Sequence, residues 1–251
     1  MMKMTPLAAA IAALAFTSSF AVADEPRSGG TINTIIQPEP PGLVLGMIQN
    51  DPTRKVAGNI YEGLLRYTTD LEPIPQLAES WEVSDDGLVY TFHLREGVLW
   101  HDGEPFTAAD VVFSADEFHR ELNPSARAVL QHVESIEAED DHTVVFTLSE
   151  PFGPFLLSFE AGTFTMVPKH LYEGTDFRDN EHNSHPIGTG PFKFHNWDRG
   201  TVIELVRFDD YYEEDLPYLD GINWHVIPDG ASRAVDGLSL AIGAGEIVGL
   251  V

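Results

Sequence analysis

Cysteine is absent from this sequence of 251 residues, which excludes several kinds of chemistry. Without cysteine the chain cannot form disulfides, thiolate metal sites or a cysteine nucleophile, and it cannot be acylated on an N-terminal cysteine. Basic residues are also scarce, because 14 Lys and Arg stand against 40 Asp and Glu, for a formal net charge of −26. Nucleic acids and anionic membranes are bound through basic surfaces. We therefore expect neither as a partner.

No hydrophobic run in the sequence is long enough for a membrane span, which needs about 20 apolar residues. The longest run, residues 7–16, follows Lys3 and precedes Ala21-Val22-Ala23, a small-x-small cleavage pattern. We expect residues 1–23 to be a signal peptide that is cleaved before Asp24. Its removal takes Lys3 away and makes the net charge one unit more negative. The sequence thus predicts a periplasmic protein with no lipid anchor.

Alternating apolar and polar residues, interrupted by turns rich in Asp and Gly, predict β-hairpins in the middle of the chain. Residues 88–94 place Leu88, Tyr90, Phe92 and Leu94 on one face of a strand. Turns are expected at residues 85–87, 140–142 and 198–200. These segments predict several antiparallel strand pairs.

Two segments between the predicted strands have helical patterns. Val56, Ile60 and Leu64 recur every four residues across residues 51–65. Thr107 and Asp110 have the spacing of a capping box at the start of a second helix. That helix should bury Val111, Ala115, Phe118 and Leu122. Helices and strands together predict a mixed α/β fold.

Two long motifs resemble one known family, the extracellular solute-binding proteins of family 5, which are peptide-binding receptors of ABC importers. The motifs are LAESWEVSDDGLVYTFHLREGVLWHDGEPFTAADVVFSADEF at residues 77–118 and HPIGTGPFKFHNW at residues 185–197, with RFDDYYEEDLPYLDGINWHVIPDGASRAV at residues 207–235 continuing the second. The matching residues include Ala78, Trp81, Asp86-Gly87, Tyr90-Thr91-Phe92, Leu94-Arg95, Gly97, Trp100-His101-Asp102-Gly103, Pro105-Phe106-Thr107-Ala108, Asp110-Val111 and Gly188-Thr189-Gly190-Pro191.

Most of the matched residues have structural tasks. Trp81, Tyr90, Phe92, Trp100 and Phe106 can close one apolar core. The pairs and triplets that contain glycine, at residues 102–103 and 188–190, supply turns with tolerant backbone angles. These motifs identify the family without forming its binding site.

The resemblance implies a periplasmic binding protein fold of type II, in which two lobes close on a ligand. By this resemblance residues 24–233 form the first lobe with an extra subdomain, a mixed sheet with antiparallel hairpins, and the second lobe is missing. The resemblance also implies that two regions face the ligand cleft. The implied ligand-binding residues are Glu39, Pro40, Pro41, Gly42 and Phe164.

The last residues, 234–251, resemble the first hairpin of the ATP-binding subunit of an ABC transporter. The sequence stops before a phosphate loop GxxxxGK[ST], so we expect no nucleotide binding. A divergent receptor tail is the alternative, because Gly245-Glu246 falls where a receptor has a Gly-Glu turn.

The ten histidines raise the question of a metal or catalytic site. His182 and His185 lie in a polar loop that contains Pro and Asn, with no helix to fix both rings on one face. His101 and Asp102 lie within a family motif, and no activated nucleophile accompanies them. We therefore expect no metal, no cofactor and no catalytic residue.

The sequence predicts a periplasmic solute-binding component of an ABC importer that is not an enzyme. Its expected partners are a peptide or similar small solute and the permease subunits of the importer, and we expect a monomer. With one lobe the site stays open to water, so binding should be weak. Two alternatives remain open, a secreted metal-dependent hydrolase and a truncated product without function.

Overall fold

The computed structural model describes residues 27–227 and the backbone of a short strand near the C terminus. The strands are β1 Thr31–Ile36, β2 Leu65–Tyr67, β3 Pro73–Pro75, β4 Ala78–Val83, β5 Val89–Leu94, β6 Val133–Asp140, β7 Thr143–Leu148, β8 Phe192–Asp198, β9 Val202–Arg207, β10 Gly221–Val226 and β11 Ile247–Val248. The α-helices are α1 Asp51–Ala57, α2 Ala108–Phe113, α3 Arg120–Leu122, α4 Pro124–Leu130 and α5 Lys169–Tyr172. A π-helical segment, Ser114–His119, joins α2 to α3.

The strands form two main sheets. The first has the order β11-β1-β10-β9-β8, in which β1 runs parallel to β10 and to β11 and the remaining pairs are antiparallel. The second is antiparallel throughout, with the order β4-β5-β7-β6. Strands β2 and β3 pair separately. The expected mixed α/β class, a mixed sheet with antiparallel hairpins, is confirmed.

The three expected hairpin turns are all present. They connect β4 to β5, β6 to β7 and β8 to β9. Gly87 and Gly200 have φ angles of +69° and +76° in the first and third turns, a region that only glycine enters without strain. In the second turn Asp140 Oδ1 accepts a hydrogen bond from the His142 amide at 2.8 Å.

The first predicted helix is shorter than its pattern suggests. Helix α1 starts after Asn50, whose side chain accepts from the Thr53 amide, and it ends at Ala57. Gly58 then donates its amide to the Arg54 carbonyl and closes the helix. Ile60 and Leu64 are fully buried, but they lie beyond the helix. The buried apolar residues therefore keep a spacing of four although Val56 lies in the helix and the later two lie outside it.

The second helix begins as expected. The Thr107 amide donates to Asp110 Oδ2 at 2.9 Å, as in a capping box. Val111, Ala115 and Phe118 are fully buried, whereas Leu122 is half-buried. The helical turns widen into the π-helical segment between α2 and α3.

A central segment, residues 59–65, connects the two sheets. The Ile60 carbonyl accepts from the Gly190 amide at 2.9 Å, and the Leu65 amide donates to the Phe159 carbonyl at 3.1 Å. A Cβ atom on Gly188 would lie 1.9 Å from the Ile60 oxygen. Glycine is required there because the two backbones approach so closely.

Apolar side chains form separate clusters beside the two sheets. The larger cluster packs on the antiparallel sheet and contains Tyr90, Phe92, Trp100 and Phe106, with Trp81 packed against it. The expected single core of these five residues is confirmed. A second cluster packs on the sheet that contains β1.

Both edge strands of the antiparallel sheet carry exposed glutamates. They are Glu79 and Glu82 on β4, and Glu134, Glu137 and Glu139 on β6. Charged side chains on an edge strand oppose pairing with another chain.

The two terminal assignments fall mostly outside the described residues. The expected signal peptide, residues 1–23, lies outside them, as does the expected tail, residues 234–251, apart from β11. Within residues 27–227, no helix is long and apolar enough to cross a membrane.

Candidate ligand-binding site

The site begins where the parallel strands β1 and β10 end. Their carboxyl ends lie side by side, since Ile36 pairs with Val226 and the Ile36 carbonyl accepts from the Ile227 amide at 3.3 Å. Ligands of open α/β sheets bind outside the carboxyl ends of such strands. The loop that leaves β1, residues 37–50, contains four of the five ligand-binding residues implied by the resemblance.

Glu39 fastens this loop to the β8–β9 hairpin. Its Oε1 accepts from Trp197 Nε1 at 2.9 Å and from the Gly200 amide at 3.0 Å. The Arg199 guanidinium lies 3.4 Å from the centre of the Trp197 ring. One carboxylate oxygen of Glu39 is therefore occupied by the protein itself.

The following residues differ in exposure. Pro40 is buried, Pro41 is exposed, and Gly42 is half-buried. The Gly42 carbonyl accepts from Thr53 Oγ1 at 2.9 Å, which ties the loop to α1. The first half of the loop is thus tied to the β8–β9 hairpin at Glu39 and to α1 at Gly42.

A second loop, residues 160–167, lies beside the first. Its turn is stabilised by Glu160, whose two oxygens accept from the Gly162 amide at 2.7 Å and from Thr163 Oγ1 at 2.9 Å. The Gly162 carbonyl accepts from Gln49 Nε2 at 3.1 Å and from Arg54 Nη2 at 3.4 Å. We call these two loops, with the first turns of α1, the half-site. Arg54, on α1, is an exposed cation of the half-site.

Phe164 lies behind the half-site. Its side chain is fully buried, with ring centroids 4.9 Å from His119 and 5.1 Å from Phe159. A ring enclosed by core residues offers no wall to a ligand in this arrangement. The sequence could not reveal this, because an aromatic residue in a loop of small and polar residues fits either position.

Sequence analysis missed Gln49, Arg54 and Gly162 as members of the half-site. Gln49 and Arg54 lie more than 100 residues from Gly162, and each is a common surface residue type. No local pattern marks such a contact.

A buried carboxylate lies in the central segment, outside the half-site. Glu62 is 2% exposed, and its oxygens accept hydrogen bonds from four donors. Burial raises the pKa of Glu62 to about 7, although the four hydrogen bonds lower it. The donors are Gln76 Nε2 at 3.1 Å, Thr189 Oγ1 at 2.9 Å, Tyr211 Oη at 2.9 Å and Tyr212 Oη at 3.0 Å.

His101 and Asp102 do not form a pair. His101 is buried, with Nε2 at 2.8 Å from the Gly190 carbonyl and Nδ1 at 3.3 Å from the Gly188 amide. Asp102 instead contacts His170 Nε2 at 2.8 Å. The two side chains serve different contacts, as expected for structural residues.

His182 and His185 also have different partners. The His182 ring lies 6.4 Å from that of Tyr172, and the His185 ring lies 5.6 Å from that of Phe194. Over residues 27–227, no three His, Asp or Glu side chains are grouped in a way that could hold a metal ion.

A mixed sheet whose parallel strands end in polar loops, joined to an antiparallel sheet, is the architecture of an α/β binding protein. The family model of the bacterial extracellular solute-binding proteins of family 5 matches residues 72–242. The chain belongs to this family. The match includes residues 234–242, which lie within the segment expected to resemble an ATP-binding subunit.

Relatives and solved structures agree with this family. The glutathione-binding protein GsiB of Pectobacterium atrosepticum is 35% identical over 72% of this chain and 35% of its own length. The periplasmic binding protein DppA of Helicobacter pylori, solved with the peptide STSA, has a TM-score of 0.73 and 32% identity over 85% of this chain and 46% of its own. The chain spans less than half the length of these relatives.

Two further solved structures bind different ligands. The oligopeptide-binding protein AppA of Bacillus subtilis, in complex with a nonapeptide, has a TM-score of 0.77 and 30% identity over 86% of this chain and 43% of its own. NikZ of Campylobacter jejuni, in complex with Ni(L-His), has a TM-score of 0.72 and 31% identity over 84% of this chain and 41% of its own. Proteins of this family are transport receptors, and the chain is not an enzyme. The hydrolase alternative is therefore wrong.

Proposed function

We propose that this protein is the peptide-binding component of an ABC importer, which captures its ligand in the periplasm and delivers it to permease subunits. The observation that carries the proposal is the half-site, where two polar loops lie together at the carboxyl end of β1 in a chain of family 5. Loops in this position of an α/β sheet are where ligands bind.

A peptide is the ligand class that several relatives favour. DppA and AppA were solved with peptides, and glutathione, named for GsiB, is itself a tripeptide. A chelated metal such as the Ni(L-His) of NikZ is the second candidate. Backbone hydrogen bonds to an extended peptide give affinity without depending on its sequence.

Within the half-site we propose different roles for its residues. Glu39, Pro40, Pro41 and Gly42 form a wall of the cleft, and Glu39 acts through its hold on the β8–β9 hairpin. Arg54 supplies a positive charge that attracts a ligand carboxylate. Phe164 supports the second loop from behind.

We propose that the 251 residues alone bind peptide weakly and as a monomer. Affinity for small ligands comes from enclosing most of the ligand surface. The chain spans 43–46% of the length of the peptide receptors DppA and AppA.

Chemical-shift mapping by NMR tests the proposed function even at low affinity. The 15N-labelled chain is titrated with the tetrapeptide STSA, glutathione and Ni(L-His) in separate arms. We expect millimolar STSA or glutathione to shift amides of residues 37–54 and 160–167, and shifts confined to other regions or absent in every arm would contradict the proposal. A response to Ni(L-His) alone would favour the second candidate. Micromolar affinity would contradict weak binding.

Arg54→Gln should weaken the response to STSA by about tenfold, because a charge-assisted hydrogen bond is lost. Arg127→Gln, an exposed arginine on α4, is the matched control and should leave the response unchanged. Equal effects of the two variants would contradict the role of Arg54.

The N terminus of the exported protein tests the periplasmic location. We propose cleavage before Asp24, so the full chain, produced in a Gram-negative host and recovered from the periplasm, should begin at Asp24. Recovery of an uncleaved chain from the cytoplasm would contradict it.

A further inference from the structure

Asn123 occupies a junction between three segments of the chain. It is 1% exposed and lies between α3 and α4. Its Oδ1 accepts from Gln49 Nε2 at 2.9 Å and from the amides of Ser125 and Ala126 at 3.0 and 3.1 Å. Its Nδ2 donates to the Thr163 carbonyl at 2.9 Å. One side-chain amide therefore contacts both loops of the half-site and the start of α4.

The contacts go beyond what capping a helix requires. An N-cap needs only a side-chain oxygen, which Asp or Ser also provides. The Nδ2 group of Asn123 is used instead on Thr163, 40 residues away in the sequence. Gln49 also donates to the Gly162 carbonyl at 3.1 Å and accepts from Ser125 Oγ at 3.1 Å.

We infer that Asn123 is a positioning residue, which couples the loop of residues 37–50 to the loop of residues 160–167 and fixes both against α4. The importance of this coupling for ligand capture rests on the proposed function. Only an amide side chain satisfies the junction, because a donor must face Thr163 while an acceptor faces Gln49 and the helix amides. Because the Asn123 side chain is buried, a donor or acceptor left there without a hydrogen-bond partner would destabilise the protein.

Asn123→Asp keeps the acceptor of the residue and removes both contacts of Nδ2, with the Thr163 carbonyl at 2.9 Å and with His119 Nδ1 at 3.3 Å. Aspartate caps a helix as well as asparagine does and keeps the acceptor for Gln49. It replaces the donor to Thr163 with an oxygen that repels the carbonyl. We expect amide hydrogen exchange in residues 160–167 to become about tenfold faster at pH 7.5, the effect of one lost hydrogen bond, with a smaller change in residues 124–130.

Asn180→Asp is the matched control. Asn180 also accepts from a backbone amide, that of His182 at 2.8 Å, and donates Nδ2 to a carbonyl nine residues away, that of Leu171 at 2.8 Å. It lies outside the half-site. Its replacement should leave exchange in residues 160–167 unchanged, and an acceleration there equal to that of Asn123→Asp would overturn the inference.

Gln49→Ala keeps the inference testable if the aspartate variant does not fold. This half-buried residue can be truncated without removing the cap of α4. We expect faster exchange in residues 160–165 in the full chain. With both variants folded, their effects should be non-additive, since they break one network. Additive effects, or exchange in residues 160–165 that neither variant alters, would overturn the coupling.

These measurements need no ligand, so their failure is distinct from failure of the proposed function. Where exchange responds as expected, the same variants titrated with STSA should show weaker shifts while the melting temperature of Gln49→Ala stays near that of the wild type. A peptide response in Gln49→Ala equal to that of the wild type would overturn the link between loop positioning and capture.

Discussion

The carboxylate of Glu62 accepts a hydrogen bond from the Tyr211 hydroxyl at 2.9 Å, across 149 residues of sequence. Three more donors meet the same carboxylate, so the central segment is joined to the strands and loops on either side of it. Such a buried, fully bonded carboxyl links folding to the pH of the solution.

Glu62→Gln should change how stability depends on pH. Burial raises the pKa of Glu62 from its ordinary value of 4.5 to about 7, so the folded state holds the proton more tightly than the unfolded state does. The stabilising contribution of Glu62 is present below pH 4.5 and is lost as pH rises to about 7. Glutamine is neutral at every pH, and its Nε2 can donate to Thr189 while its Oε1 keeps the remaining donors.

The measurement is urea unfolding of both proteins between pH 4.5 and 7.5. The free energy of unfolding of Glu62→Gln, relative to the wild type, should rise by on the order of 3 kcal/mol over this range. Glu134→Gln, on the exposed edge strand β6, is the control for the loss of one charge. Parallel curves for Glu62→Gln and the wild type would contradict the prediction.

His101→Gln should act in the opposite direction. Burial lowers the pKa of His101 from 6.5 to about 4, although the Gly190 carbonyl raises it, so the folded state binds the proton less tightly than the unfolded state. Stability is lost as pH falls from about 6.5 to 4. Glutamine keeps a donor for the Gly190 carbonyl without gaining a charge. As pH falls over this range, the free energy of unfolding of the variant should therefore decrease by about 3 kcal/mol less than that of the wild type.

Thermal unfolding at pH 4, 5 and 6.5 measures this difference. The exposed His195→Gln is the control and should follow the wild type. If both variants follow the wild type, the prediction for His101 is wrong.

Gly188→Ala should destabilise the protein by at least about 3 kcal/mol. The new Cβ would lie 1.9 Å from the Ile60 carbonyl oxygen, and neither backbone can move without breaking hydrogen bonds of the central segment. Gly153→Ala is the control, because nothing lies within 4 Å of its Cβ position. Urea unfolding should show the loss in the first variant alone, and equal midpoints would contradict the close approach.

Glu39→Ala should lower stability by about 1–2 kcal/mol and alter the fluorescence of Trp197. The substitution leaves the Trp197 indole and the Gly200 amide without their acceptor. Glu204→Ala removes an exposed contact to Asn196 in the same hairpin, so its effect should stay below about 0.5 kcal/mol. Emission spectra and urea midpoints that do not distinguish the two variants would show that Glu39 does not fasten the loop.

Local patterns predicted much of the fold. The three hairpin turns were predicted from Asp and Gly residues between strands of alternating apolar and polar residues, and all three are present. Such turn signals act over a few residues, so a local pattern is enough to predict them. The predicted first helix was too long, because Ile60 and Leu64 continue the apolar period of the helix beyond Gly58, where the helix has already ended. Burial there comes from the contacts of the central segment with distant strands, which a helical period does not encode.

The candidate site was less predictable. The resemblance indicated the loop that contains Glu39, but the hydrogen bonds of that carboxylate to the β8–β9 hairpin join residues about 160 positions apart. No pattern in the sequence indicated the role of Asn123, because that role depends on contacts with Gln49 and Thr163, which lie in separate loops. Polar contacts of this range carry no periodicity.

The glutamates on both outer strands of the antiparallel sheet have a consequence for storage of the purified protein. At neutral pH the mutual repulsion of these carboxylates between molecules keeps the open strand edges apart, whereas concentrated salt screens that repulsion. Concentrated protein in high salt should therefore associate through β4 and β6, and buffers of low ionic strength should keep it dispersed.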